Sequence, residues 1–135
     1  MIVFVYGTLM RGYANNCCLE GAEFLSEATT VARFAMTNRG FPYIFPDPKG
    51  KLVRGEIWDI GSSDKILAGL DALEGEGKHY DRVVIKAADA EGRVRTVSAY
   101  QATASVWKKF ASSFLPCPTD DRGRYYWEST HARAD

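Results

Sequence analysis

The 135-residue chain carries no net charge, since 17 lysines and arginines balance 17 aspartates and glutamates. That balance argues against nucleic acid or an anionic membrane as the main partner, because both select for excess positive charge. No apolar run approaches the roughly 20 residues of a membrane span. Met1 opens directly on strand material, so no charged secretory leader is expected. Cysteine is scarce: only Cys17, Cys18 and Cys117 are present. Adjacent cysteines rarely pair with each other, and no CxxC or Cys/His spacing suggests zinc. Reduced thiols in a cytoplasm are expected. His79 and His131 allow a Cys/His nucleophilic pair in principle, but neither has a sequence context that favours one. There is no repeat or low-complexity segment. The length suits one domain, expected over residues 1–130 with 131–135 as a frayed tail, and suffices for a core without staples.

The most informative segment opens the chain. Ile2, Val3, Phe4, Val5 and Tyr6 form an apolar run without polar alternation, as in a strand buried on both faces. The run enters Gly7-Thr8-Leu9 and then Met10, Arg11 and Gly12. Gly7 permits a sharp turn or a close approach to a ligand, and the amides after it could form a small anion-binding nest. An ordinary strand-ending turn is the alternative. Further strand material is expected over 23–36, broken near 26–30. The segment from Gly40 to Pro48 is expected to be an extended aromatic loop, since its prolines remove ladder donors. Leu52 to Ile60 reads as a strand in which Gly55 marks a bulge or a close approach.

Ser62-Ser63-Asp64 supplies N-cap chemistry for a helix reaching about Glu74, where Gly75 and Gly77 end it. Tyr80–Ala87 and Arg93–Gln101 read as a hairpin. A short helix is expected over 105–114, and Arg124 to Trp127 is apolar enough to dock on the core. Six or seven strands with one main helix make an α+β domain, a small closed or nearly closed barrel.

Glu74 is the chemical clue. With Ile66, Leu67, Leu70 and Leu73 as the apolar stripe, 100° per residue places Glu74 between Leu67 and Leu70. A carboxyl on the core-facing side is desolvated, and the helix C-terminus disfavours its charge; both raise its pKa. General acid/base chemistry needs such a group. Two alternatives stand beside this one. The helix could end a turn early and leave Glu74 in water, or Arg82 could neutralise it as a buried pair. Asp71 and Glu76 read as solvated surface.

Four segments, in order, resemble the gamma-glutamylcyclotransferase-like superfamily. They are Phe4-Val5-Tyr6-Gly7-Thr8-Leu9 with Arg11-Gly12, then Gly40-Phe41-Pro42-Tyr43, then Val53 to Trp58, then Leu70 to Gly75 followed by Tyr80 and Arg82. The resemblance covers roughly residues 2–100. It implies a small mixed β-barrel with a helix beside it and a cavity at the barrel mouth. It further implies that Tyr6, Gly7, Thr8 and Leu9 hold a substrate carboxylate and that Glu74 is the proton acceptor. Tyr80 and Arg82 would shape and polarise the site. The implied reaction converts a γ-glutamyl amine or peptide to 5-oxoproline and a free amine, with no metal or other cofactor. Phe41, Tyr43, Tyr125 and Trp127 are candidates for an aromatic wall around the leaving amine. The alternatives are an acyl-transferring or amide-forming enzyme on the same barrel, and a non-catalytic small-molecule-binding module.

Overall fold

The computed structural model describes residues 1–110 and 113–128. The expected tail at 131–135 and the far end of the expected 105–114 helix lie partly or wholly outside those residues. Five strands close a barrel in the order β1, β5, β2, β6, β7. They are β1 (Ile2–Val5), β2 (Glu23–Thr30), β5 (Arg54–Asp59), β6 (Tyr80–Asp89) and β7 (Val94–Ala102). All neighbours are antiparallel except β1 and β7, whose parallel pairing closes the ring. A separate two-stranded sheet joins β3 (Phe34–Asn38) to β4 (Pro42–Pro46). Among the described residues two α-helices, α1 (Asp64–Glu74) and α2 (Ala104–Phe110), and a short 3₁₀ helix at Asn16–Leu19 complete an α+β architecture of seven strands.

The unbroken apolar character of β1 has the expected consequence. Phe4 and Tyr6 join a core cluster with Ile57, Ala87 and Ala99, while Val3 and Val5 join another with Leu70. Both faces are therefore covered, and the strand's end is held deep in the molecule. Gly55 lies across from the end of β1 because nothing larger fits. A Cβ there would collide with the Val5 carbonyl oxygen and stand 2.7 Å from Phe4 Cζ. The close approach, rather than a bulge, explains this glycine; the register shift lies on the partner strand between Phe24 and Ser26.

Helix α1 begins where its cap chemistry placed it. Ser63 Oγ accepts the Ile66 N–H at 3.2 Å, and Gly75 ends the helix in the left-handed region at φ +58°. Leu70 is fully buried and Ile66 and Leu67 half-buried, but Leu73 is 43% exposed, so the core-facing stripe is narrower than its spacing suggested.

Two elements differ from expectation. The proline-rich segment is a strand, not a loop: Pro42 and Pro46 stand at its two ends, opposite Asn38 and Phe34. The two-stranded sheet leaves β4 a free edge, where a missing N–H costs no ladder bond. Strand β2 runs unbroken through 26–30, and the break comes at 31–33. Small Ala28 and hydroxyl-bearing Thr30 are its inward residues. Buried Thr30 is satisfied, its Oγ1 accepting the Val53 N–H at 2.9 Å and donating to the Ala32 carbonyl at 2.9 Å. The final segment docks as expected, with the Tyr125 N–H donating to the Leu52 carbonyl at 2.8 Å and Tyr125 and Trp127 buried.

Candidate active site

The turn after β1 is held from three sides. The Met10 N–H donates to the Gly7 carbonyl at 3.1 Å, closing a tight turn. Asn15 grips Thr8 twice: its amide side chain donates to Thr8 Oγ1 and its backbone N–H to the Thr8 carbonyl, both at 2.9 Å. The Asn16 side chain donates to the Leu9 carbonyl at 2.8 Å. Beneath the turn, buried Glu56 accepts the Arg11 backbone N–H at 3.0 Å, Arg11 Nε at 3.1 Å and Trp58 Nε1 at 3.2 Å. Charge-assisted bonds of this kind are the stronger class, so the loop is well fixed. Asn15 and Glu56 had no assigned role in the sequence reading. Their signal is weak in the chain alone, because 45 residues separate Glu56 from Arg11.

Gly7 is present for packing. It has no positive φ, and a Cβ on it would stand 2.5 Å from Pro42 Cγ. The sharp turn expected after β1 is present, but glycine is required at position 7 by the close approach of the β4 proline, which seats the second sheet against the turn. Among the described residues, the amide N–H groups of Gly7, Thr8 and Leu9 donate to no backbone carbonyl or side chain.

The residues that carry those amides line a cavity of about 320 Å³. Its lining includes Tyr6, Gly7, Thr8, Leu9, Glu74 and Tyr80 from the expected set, together with Asn15, Phe41, Pro42, Tyr43, Leu73, His79 and Tyr100. Burial pushes the Glu74 carboxyl up to about 7. Among the described residues no cation forms an ion pair with it. A carboxyl that is desolvated and unpaired holds its proton to near neutrality.

The tyrosines around Glu74 are held in their neutral form. Burial, followed by the charge of Glu74, raises the Tyr6 phenol well above its ordinary value, and its hydroxyl donates to the Tyr100 carbonyl at 2.5 Å. The Tyr80 phenol is raised by burial, then by its neighbours Tyr6 and Glu74, and donates to the Pro42 carbonyl at 2.6 Å. Its ring stacks on Tyr43 with centroids 4.5 Å apart. The barrel and the second sheet thus meet through Tyr80 at the cavity wall.

Arg82 stands outside the lining. Its Nε pairs with Asp71 Oδ1 at 3.2 Å, and the same oxygen accepts the Tyr100 hydroxyl at 2.6 Å. Arg82 therefore does not neutralise Glu74, and Asp71 is half-buried and bonded rather than solvated. Of the four candidate wall aromatics, Phe41 and Tyr43 line the cavity, whereas Tyr125 and Trp127 lie in the core cluster with Phe4 and Ile57. Cys117 is buried in that same cluster, where desolvation pushes its thiol up to about 12, the wrong direction for a nucleophile. None of the three cysteines lines the cavity. His79 does line it, exposed, while His131 lies outside the described residues.

The architecture is that of a small α+β barrel with a carboxyl-bearing cavity beside the end of its first strand. The family described as gamma-glutamyl cyclotransferase, AIG2-like matches residues 3–119, and the chain belongs to that family. A human gamma-glutamylaminecyclotransferase is 31% identical over 101 residues, covering 68% of this chain and 65% of its own length. A Drosophila melanogaster protein provisionally named a gamma-glutamylcyclotransferase is 34% identical over 89 residues, 59% of this chain and 55% of its own. The chain thus spans between about half and two-thirds of the length of these relatives. The crystal structure of a mouse AIG2-like protein superposes with a TM-score of 0.74 at 24% identity, over 96% of this chain and 97% of that one, and shares the fold. Among the described residues no helix is long and apolar enough to cross a membrane.

Proposed function

We propose that the cavity cyclises γ-glutamyl amines or peptides to 5-oxoproline with release of the free amine. The observation that supports this most is that a carboxyl of raised pKa lines the same cavity as Gly7, Thr8 and Leu9, whose amides have no hydrogen-bond partner among the described residues. The amides of Gly7, Thr8 and Leu9 bind the substrate's α-carboxylate, as successive N–H groups bind anions elsewhere. Anchored there, the γ-glutamyl chain folds so that its α-nitrogen reaches its own γ-carbonyl. The reaction is intramolecular, and holding the folded conformer removes much of its entropic cost.

The α-ammonium cannot attack while protonated. An α-amino group beside a free α-carboxylate has a pKa of about 9, so passing its proton to an ordinary carboxylate costs roughly 6 kcal/mol. With Glu74 at about 7 the same transfer costs about 3 kcal/mol. The freed amine then bonds to the γ-carbon and forms a tetrahedral intermediate. Its nitrogen passes a second proton to water as the bond from carbon to the leaving nitrogen breaks. Glu74 returns a proton to that departing nitrogen, and the released amine takes up the other from water. Tyr80 shapes the wall facing the reaction, and Arg82 acts at a distance by fixing Asp71 and Tyr100. In the test, purified protein is incubated in ¹⁸O-water with γ-glutamyl amides, and products are weighed by mass spectrometry. Unlabelled 5-oxoproline, equimolar with amine, is expected. Labelled glutamate would mark a hydrolase instead, and no turnover of any γ-glutamyl compound would remove the reading.

A further inference from the structure

Among the described residues eight large apolar side chains are conspicuously exposed, and two of them, Phe41 at 57% and Leu73 at 43%, border the same cavity. They come from segments more than 30 positions apart, one before β4 and one on the last turn of α1. Single exposed apolar residues are ordinary, but two converging on one opening mark a surface that receives apolar matter. Phe41 stacks on no other ring among the described residues, unlike Tyr43, which lies flat on Tyr80.

Charge is equally informative. Among the described residues no lysine or arginine lines the cavity, and Glu74 is its only acid. The arginines nearest in the chain to its lining segments are engaged: Arg82 with Asp71, Arg11 with Glu56, and Arg39 with the Ser113 carbonyl at 3.0 Å. A leaving group that carried its own carboxylate would meet no lysine or arginine in the lining, only the imidazole of exposed His79, and would have ionised Glu74 nearby. Desolvating an anion unpaired is strongly unfavourable. The volume of about 320 Å³ is at the low end for small-molecule sites, enough for a γ-glutamyl unit and one modest group.

We propose that Phe41 and Leu73 form a selective lip that accepts γ-glutamyl conjugates of amines with an apolar, uncharged body and rejects γ-glutamyl peptides ending in a carboxylate. This rests on the cyclotransferase reading. The γ-glutamyl unit is held at the turn after β1, and the body of the amine lies between Phe41 and Leu73 against the Tyr43–Tyr80 stack.

The test measures 5-oxoproline release from four compounds: γ-glutamyl methylamide, isobutylamide, benzylamide and γ-glutamylglycine. Isobutylamide and γ-glutamylglycine have similar shapes and differ in charge. The wild type should prefer isobutylamide by at least tenfold in kcat/KM, and benzylamide over methylamide by a similar factor. In Phe41→Ala the ratio of benzylamide to methylamide should fall about tenfold. That ratio is insensitive to the fraction of folded enzyme. Equal or better turnover of γ-glutamylglycine would overturn the proposed selectivity while leaving cyclisation standing. An unchanged ratio in Phe41→Ala would overturn the role of the lip. No 5-oxoproline from any of the four would overturn the cyclotransferase reading itself, and this inference with it.

Discussion

Replacing Glu74 with glutamine should make the protein more stable and less active, and the stability gain should depend on pH in one direction only. The carboxyl titrates at about 7 in the fold against an ordinary value of 4.5. Below about 4.5 both folded and unfolded chains carry the proton, so burial of this group costs nothing through ionisation. Between 4.5 and 7 the unfolded chain releases its proton first, and stability falls as pH rises. Above 7 the penalty is complete. The difference of about 2.5 units corresponds to roughly 3 kcal/mol. Glutamine keeps a polar group in the same place and recovers only part of that, about 1.5–3 kcal/mol. For a domain of this size that is a rise in Tm of roughly 5–10 °C at pH 8. Thermal unfolding of both proteins at pH 4, 6 and 8 reads it directly. Near-equal Tm values at pH 4 should separate steadily towards pH 8. A gap independent of pH, or a variant less stable at pH 8, would show that Glu74 is paired or hydrated in solution.

Other consequences are as specific. Gly7→Ala pushes a methyl group into Pro42 Cγ, so chemical denaturation should show a loss of about 1–3 kcal/mol. Tyr6→Phe removes the donor to the Tyr100 carbonyl and should cost about 1–3 kcal/mol by the same measurement. The Arg82–Asp71 pair is about a third exposed, so Arg82→Ala should cost less than about 1 kcal/mol; a larger loss would mean that the pair organises more than Tyr100.

Where a feature depended on local periodicity or capping, it was legible in the chain. The doubly buried β1, the caps at Ser63 and Gly75 and the inward side of Glu74 all follow from spacing within a dozen residues. Features that depended on remote partners were not. Asp71 reads as a surface acid until β6 and β7 bring Arg82 and Tyr100 to it. The prolines of β4 look like strand breakers until the sheet proves to have two strands. Tyr125 and Trp127 resemble Phe41 and Tyr43 in composition, and it is remote pairing, such as the parallel bridge between Val53 and Tyr125, that sends them to the core instead of the cavity.

The central claim is that Glu74 is the proton acceptor for cyclisation of a γ-glutamyl unit. Its most direct test is the pH dependence of kcat/KM for 5-oxoproline release, measured for wild type and Glu74→Gln on one turned-over amide. The wild type should gain activity as pH rises through about 7, where Glu74 loses its proton, and the variant should lose a factor of about 10²–10⁴ at pH 8 together with that inflection. A variant that turns over at the wild-type rate, or that keeps the same inflection, would contradict the assignment.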